Sequence, residues 1–247
     1  IIAGLLARNH LGRDWPVIKT HWKAILVLGL TGGALFSALQ YVGLQYTSAV
    51  NVSVLNSLGP VFIVAAVAIM FRETMRPIQY AGIAVSLAGV LFIVTRGEPA
   101  MLATMSFNYG DLIILFNMGV WAVYSACLRF RPSIHWTSFM FVFALIAALG
   151  TLPFAVQEYQ QGIRFVPTLT TLLTIVYVSI FPSLVAYMSW NRGVELIGPN
   201  RAGALLHLVA LYSAVLAGFF LGERLAAFHV IGFALILAGV TLAARKT

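Results

Sequence analysis

Gly82-Ile83-Ala84-Val85-Ser86-Leu87-Ala88-Gly89-Val90 and Gly232-Phe233-Ala234-Leu235-Ile236-Leu237-Ala238-Gly239-Val240 lie 150 residues apart and agree at six of nine positions. Each stretch is apolar with small residues at helical spacing, a ridge on which a second helix can pack closely inside a membrane. The same offset places Glu73 on Glu223, Gly43 on Gly193, Leu55 on Leu205 and Leu58 on Leu208 without a gap. A fixed period of this length reads as an internal duplication.

Composition sets the solvent. Of 247 residues, 61% are hydrophobic and 9% charged, and mean hydropathy is +0.95. Soluble chains carry about 25% charged residues, so the surface of this one belongs in hydrocarbon. A spanning helix takes about 20 apolar residues. Eight such runs occur, near 23–46, 48–71, 77–95, 109–130, 137–156, 170–196, 198–222 and 226–244. They are continuous rather than alternating, which excludes a membrane barrel. The expected fold is therefore an all-α integral membrane protein.

The copies are read as residues 1–96 and 109–247, joined by a connection at 97–108. Ile1–Ala7 is apolar, too short to span, and without the flanks of a signal peptide. The second copy opens near Tyr109, so the first would open about 40 residues before Ile1. The sequence is accordingly read as lacking one helix and most of another. Five helices per copy is an odd number, so the second copy enters from the opposite side, an inverted repeat. Basic residues give an independent reading. Twelve of fifteen Lys and Arg fall in connections on one side, and only Arg96, Arg164 and Arg224 on the other. That bias puts both termini of the complete protein in the cytoplasm.

Net charge is +8, but no basic patch interleaved with aromatics occurs, so nucleic acid is not an expected partner. The single cysteine, Cys127, excludes a disulfide framework and reads as a packing residue. No metal or other cofactor is expected. An intramembrane enzyme lacks its constellation, with no H-E-x-x-H and no Walker A loop. A channel lacks a filter segment.

The tight turn into Ala49 and Asn51, the stretch Leu58-Gly59-Pro60-Val61-Phe62, the closing Glu73 and the Gly82-x6-Gly89 helix resemble one family. It is the ten-helix, EamA-type branch of the drug/metabolite transporter superfamily. The second copy repeats the pattern with Tyr109-Gly110-Asp111, Gly193, Pro199, Gly222-Glu223 and Gly232-x6-Gly239. Its Trp- and Tyr-rich middle looks most like the YddG-type amino-acid exporters. It departs from the pattern at Ala210, where the first copy has Pro60. The resemblance implies a ten-helix basket in a bacterial inner membrane, with a central cavity reached alternately from each side. Small-molecule substrate and lipid are the implied partners, and the chain is read as a monomer.

The helix middles hold no carboxylate, because Asp14, Glu73, Glu98, Asp111, Glu158, Glu195 and Glu223 all lie in connections or near run ends. A carrier of lipophilic cations would hold an acid at the midplane. Peripheral basic residues likewise disfavour phosphorylated substrates. Neutral or zwitterionic metabolites remain, amino acids including aromatic ones first; the alternatives are efflux of drugs or other organic compounds, or a non-transport membrane subunit or channel.

Ser53, Asn56, Ser57 and Pro60 follow helical spacing and form one polar stripe. Its mate is Gly203, Leu206, His207 and Ala210, with His207 the only histidine at depth. In 170–196, Ser183 and Tyr187 share a face with Ser179, Ala186 and Trp190; in 109–130, Asn117, Trp121 and Tyr124 share another. Gly32 coincides with Pro182, and paired breakers mark a transporter site or hinge. The candidate substrate-binding residues are thus Asn56, Ser57, Trp121, Tyr124, Ser183, Tyr187 and His207. Arg192, Glu195 and Arg201 read either as an inner gate or as a solvated cluster, and Ser86 as a packing residue.

The charge bias is open to test. In a Cys127→Ser background, Arg72→Cys and Arg201→Cys should react with a membrane-impermeant maleimide only after cells are permeabilised. Labelling of either from outside intact cells would reverse the orientation.

Overall fold

The computed structural model describes residues 2–98, 100–103, 106–162, 164–221 and 227–245. The elements are α1 (Ile2–Ala7), α2 (Leu11–Thr20), α3 (Trp22–Leu44), α4 (Ala49–Asn56), α5 (Gly59–Phe71), α6 (Pro77–Val94), α7 (Ala100–Ala103), α8 (Tyr109–Cys127), α9 (Trp136–Gln160), α10 (Leu169–Ile197), α11 (Pro199–Leu205), α12 (Leu208–Leu221) and α13 (Ala227–Ala243). The fold is 83% helix, with no strand among the described residues. Among the described residues six helical spans are long and apolar enough to cross a membrane: Trp22–Leu44, Asn51–Phe71, Pro77–Val94, Tyr109–Phe130, Trp136–Gln160 and Leu169–Ile197. Of the other two expected runs, 198–222 is divided between α11 and α12, and 226–244 holds the shorter apolar helix Ala227–Ala243. Gly222, Glu223, Arg224 and Lys246, used in the sequence reading, lie outside the described residues.

The hydrocarbon solvent shows in what is left uncovered. Ile69 is 80% exposed, Phe219 82% and Phe220 74%. Such side chains form the natural lipid-facing surface, whereas in water they would be an aggregation hazard.

The chain divides into two compact units. One comprises Ile1–Ala38 with Cys127–Leu196, the other Leu39–Ala126 with Ile197–Thr247. Each draws on both halves of the sequence. In the first unit α3 lies against α9, where Gly29 and Gly33 make room for Ile146 and Ala147. A Cβ on Gly33 would stand 2.5 Å from that of Ala147. Asp14 of α2 accepts the backbone N–H of His135 at 3.0 Å, tying α2 to the start of α9.

The second unit is centred on the crossing of α6 and α13. A Cβ on Gly82 would lie 2.6 Å from the carbonyl oxygen of Gly239, and one on Gly239 would lie 2.5 Å from that of Gly82. One on Gly89 would lie 2.8 Å from the Gly232 oxygen, and one on Gly232 would lie 3.0 Å from the Gly89 oxygen. Rising number on α6 meets falling number on α13, so the helices run antiparallel. Backbone touches backbone there, with Ile83, Val90, Ile236 and Val240 buried alongside. Gln79 fastens the same end by donating Nε2–H to the carbonyls of Ala243 and Arg245 at 3.4 and 3.2 Å.

At another end of this unit Asp111 is 1% exposed. Its carboxylate accepts from Thr47 Oγ1 at 2.5 Å, Asn51 Nδ2 at 3.1 Å and the Asn108 backbone N–H at 2.8 Å. The sequence places Asp111 at a positive helix end. The structure adds that it clamps the 44–49 and 106–111 connections together, so buried charge is balanced by donors from three residues.

Gly239→Ala should destabilise the protein by about 1–3 kcal/mol, since only backbone could move to admit the methyl. Gly119→Ala, where nothing lies within 4 Å of the new Cβ, should be neutral or slightly stabilising. Thermal unfolding of both variants in detergent checks the contrast, and equal behaviour would refute the close crossing.

Candidate functional site

The helices that carry candidate residues are interrupted. In the second unit the chain breaks at Ser57–Leu58, between α4 and α5, and again at Leu206–His207, between α11 and α12. The breaks stand 150 residues apart, give or take one. Pro60 explains the first: it has no N–H to give, and its ring crowds the carbonyl four residues back. Three-residue bonds tighten the chain there, as with Leu58 N–H to the Leu55 carbonyl at 3.0 Å. Ala210 stands at the equivalent place in the second break, so proline is not the cause there. Its chain is held instead by Leu206 N–H to Gly203 and Val209 N–H to Leu206, at 2.9 and 3.0 Å.

The break also splits the stripe read from 48–71. Ser53 is exposed and returns its hydroxyl to the Ala49 carbonyl. Ser57 is buried and bonds the Val54 carbonyl at 2.5 Å. A single helical face is therefore not preserved across all four residues, because continuous periodicity ends at Ser57.

His207 bridges the two breaks. It is 2% exposed. Nε2 lies 2.8 Å from the Ser57 carbonyl oxygen, and Nδ1 lies 2.6 Å from Ser86 Oγ. A carbonyl only accepts, so Nε2 must carry a proton. In the neutral ring Nδ1 then accepts from the Ser86 hydroxyl. In the charged ring Nδ1 donates, and Ser86 turns its proton to the Ile83 carbonyl, 3.0 Å away. Any ligand contact to His207 has to displace one of these partners. Sequence reasoning found the histidine but assigned Ser86 to packing, since nothing in the periodicity of 77–95 aims it at residue 207.

Asn56 ends α4 half-buried. Its Oδ1 is enclosed and has no hydrogen-bond partner in the protein. A buried polar atom left so costs about 1–3 kcal/mol unless something satisfies it. In the same unit Tyr124 is fully buried and Trp121 half-buried, their rings 5.2 Å apart. Asn117 donates Nδ2–H to Gln40 Oε1 at 3.0 Å. Five of the seven candidates, Asn56, Ser57, Trp121, Tyr124 and His207, thus belong to the second unit.

Ser183 and Tyr187 belong to the first. There α3 and α10 widen into π-helical turns over Gly29–Leu35 and Ser179–Val185, again 150 residues apart. These are the segments holding the paired breakers Gly32 and Pro182, and π-turns collect at functional sites. Tyr187 donates its hydroxyl to the Gly32 carbonyl and packs its ring 5.1 Å from Phe143. Ser183 is exposed.

Also in this unit is a cavity of about 430 Å³ between the start of α9 and the end of α10. Its walls include Trp136, Phe139, Met140 and Met188, and Arg131, Arg192 and Glu195 stand at its edge. Glu195 Oε2 pairs with Arg131 at 3.0 Å and Oε1 with Arg192 at 3.1 Å. The sequence singled out Arg192 and Glu195 but grouped them with Arg201. Arg201 instead donates to the Arg245 carbonyl in the second unit. The apolar run at 137–156 gave no sign that its first turn lines a cavity.

Long apolar helices, interrupted at places about 150 residues apart in sequence, define a multi-pass membrane protein. The sequence profile of the EamA-like transporter family matches residues 2–95 and 108–245, and the chain belongs to that family. It is 28% identical over 227 residues to the uncharacterized transporter YyaM of Bacillus subtilis, covering 88% of this chain and 72% of that protein. An uncharacterized transporter of Archaeoglobus fulgidus is 29% identical over 233 residues, covering 92% of this chain and 78% of that one. A protein of Streptantibioticus cattleyicolor named "Probable terminal-alkyne amino-acid exporter" is 28% identical over 253 residues, covering 100% and 79%. One solved crystal structure shares the fold with a TM-score of 0.75 at 23% identity, over 98% of this chain and 81% of that chain.

Ser86→Ala should lower stability by about 1–3 kcal/mol, the cost of leaving the buried Nδ1 of His207 unpaired. Ser53→Ala, at an exposed position, should change the unfolding temperature little. A stability unchanged in Ser86→Ala would mean that the imidazole is not held as described.

Proposed function

We propose that this transporter carries small neutral or zwitterionic metabolites, amino acids including aromatic ones, across a bacterial inner membrane by alternating access. In this reading residues 1–96 and 109–247 are inverted copies and both termini are cytoplasmic. The observation that carries it is the enclosed Asn56 Oδ1 without a protein partner, at the tip of a broken helix. Such an oxygen is suited to accept from an ammonium or amide N–H of a bound molecule. The absence of carboxylates from the helix middles supports an uncharged or charge-balanced cargo. The exporter name borne by the Streptantibioticus relative points to the same class.

Within this reading Asn56 contacts substrate, and Trp121 and Tyr124 of the same unit supply ring surface and a hydroxyl. His207 and Ser57 hold the helix breaks in register, and reach substrate only if their present bonds open.

Counterflow of radiolabelled amino acid in proteoliposomes separates a carrier from a channel, because only a carrier shows saturable trans-stimulated exchange. Asn56→Ala should weaken apparent affinity roughly 10- to 150-fold, the loss of one hydrogen bond to a charged group, with little change in unfolding temperature. Unaltered exchange in Asn56→Ala would remove this residue from the site. No counterflow of any neutral amino acid would remove the substrate class.

A further inference from the structure

The α9–α10 cavity is not among the candidate residues above, and its chemistry is specific. Two guanidiniums share a single carboxylate, which leaves a surplus positive charge beside walls of Trp136, Phe139, Met140 and Met188. Each Arg directs one N–H group to Glu195, and a guanidinium has five N–H donors. Arg131 also lies 5.5 Å over the Phe139 ring, a cation–π contact that leaves guanidinium donors for a planar anion. The Arg192 side chain is 61% exposed, so its remaining donors are open to a ligand. At about 430 Å³ the cavity falls in the range that holds a small organic molecule.

We propose that this cavity is a second binding site, for a carboxylate that carries an aromatic or large apolar group. The carboxylate would bridge Arg131 and Arg192, and the apolar group would lie among Phe139, Met140 and Met188. In an amino acid the ammonium would face Glu195. This deepens the reading above, on which it rests for the amino acid as the natural occupant. The basic residues here belong to the end assigned to the cytoplasm, so the site would gather substrate on the loading side of an exporter.

The test is isothermal titration of the purified full chain in detergent, in an Asn56→Ala background that weakens the first site. The probes are L-phenylalanine and 3-phenylpropionate, which keeps ring and carboxylate and lacks the ammonium. Both should bind, and Arg192→Gln should weaken both ~10-fold. Phe139→Ala should weaken both, whereas Glu195→Gln should weaken L-phenylalanine alone. Binding unchanged in Arg192→Gln and in Arg131→Gln, each with an unfolding temperature like the parent's, overturns the site. Arg192-dependent binding of 3-phenylpropionate without any binding or counterflow of L-phenylalanine keeps the carboxylate site and overturns the amino-acid reading instead.

Discussion

A carbonyl that leaves the helical ladder inside hydrocarbon has no water to turn to, and must find a donor within the protein. The interrupted helices here are shaped by that need. The Ser57 carbonyl is met by His207, and the Gly32 carbonyl by the Tyr187 hydroxyl. Each donor lies more than a hundred residues from its acceptor in sequence. The interruptions are therefore stable features of the packed unit and not local weaknesses of single helices. The same need explains why a histidine and a tyrosine sit deep in apolar helices without calling for a metal or a nucleophilic partner.

The long-range periodicity was legible because it rests on covalent order alone. A fixed offset of 150 residues and runs of apolar residues survive any packing, and the six observed spans fall within a few residues of six of the eight runs. The Ser48 hydroxyl that caps α4 by accepting the Asn51 N–H was not singled out, but one helix start was legible, at the turn residue Pro199, where α11 opens. The second break was not, since Ala210 and Leu206 are good helix formers and the interruption appears only when His207 is placed against Ser57. Local preference pointed to a continuous helix, and a tertiary hydrogen bond overrode it.

Candidate side chains were harder to read than candidate helices. Asn56 and His207 were selected because polar atoms are costly in lipid, an argument that identifies a residue needing a partner without saying which one. For His207 the protein itself supplies both partners, and for Asn56 Oδ1 it supplies none. That difference is geometric, and periodicity holds no trace of it. The Arg131–Glu195–Arg192 cluster was hidden for a related reason: its members come from two separate helix ends, and charge at helix ends usually reads as solvated surface.

The α6–α13 crossing exchanges its numbers symmetrically. Residue 82 meets 239, and 89, the first-copy mate of 239, meets 232, the mate of 82. This is the contact pattern of an isologous dimer, in which one patch meets itself across a two-fold axis. The crossing thus behaves as a homodimer interface housed in one polypeptide. The fit resides in the helix faces, and the chain between them adds only effective concentration. A change on either face is therefore judged against the backbone of the other, Gly82 against Gly239 and Gly89 against Gly232.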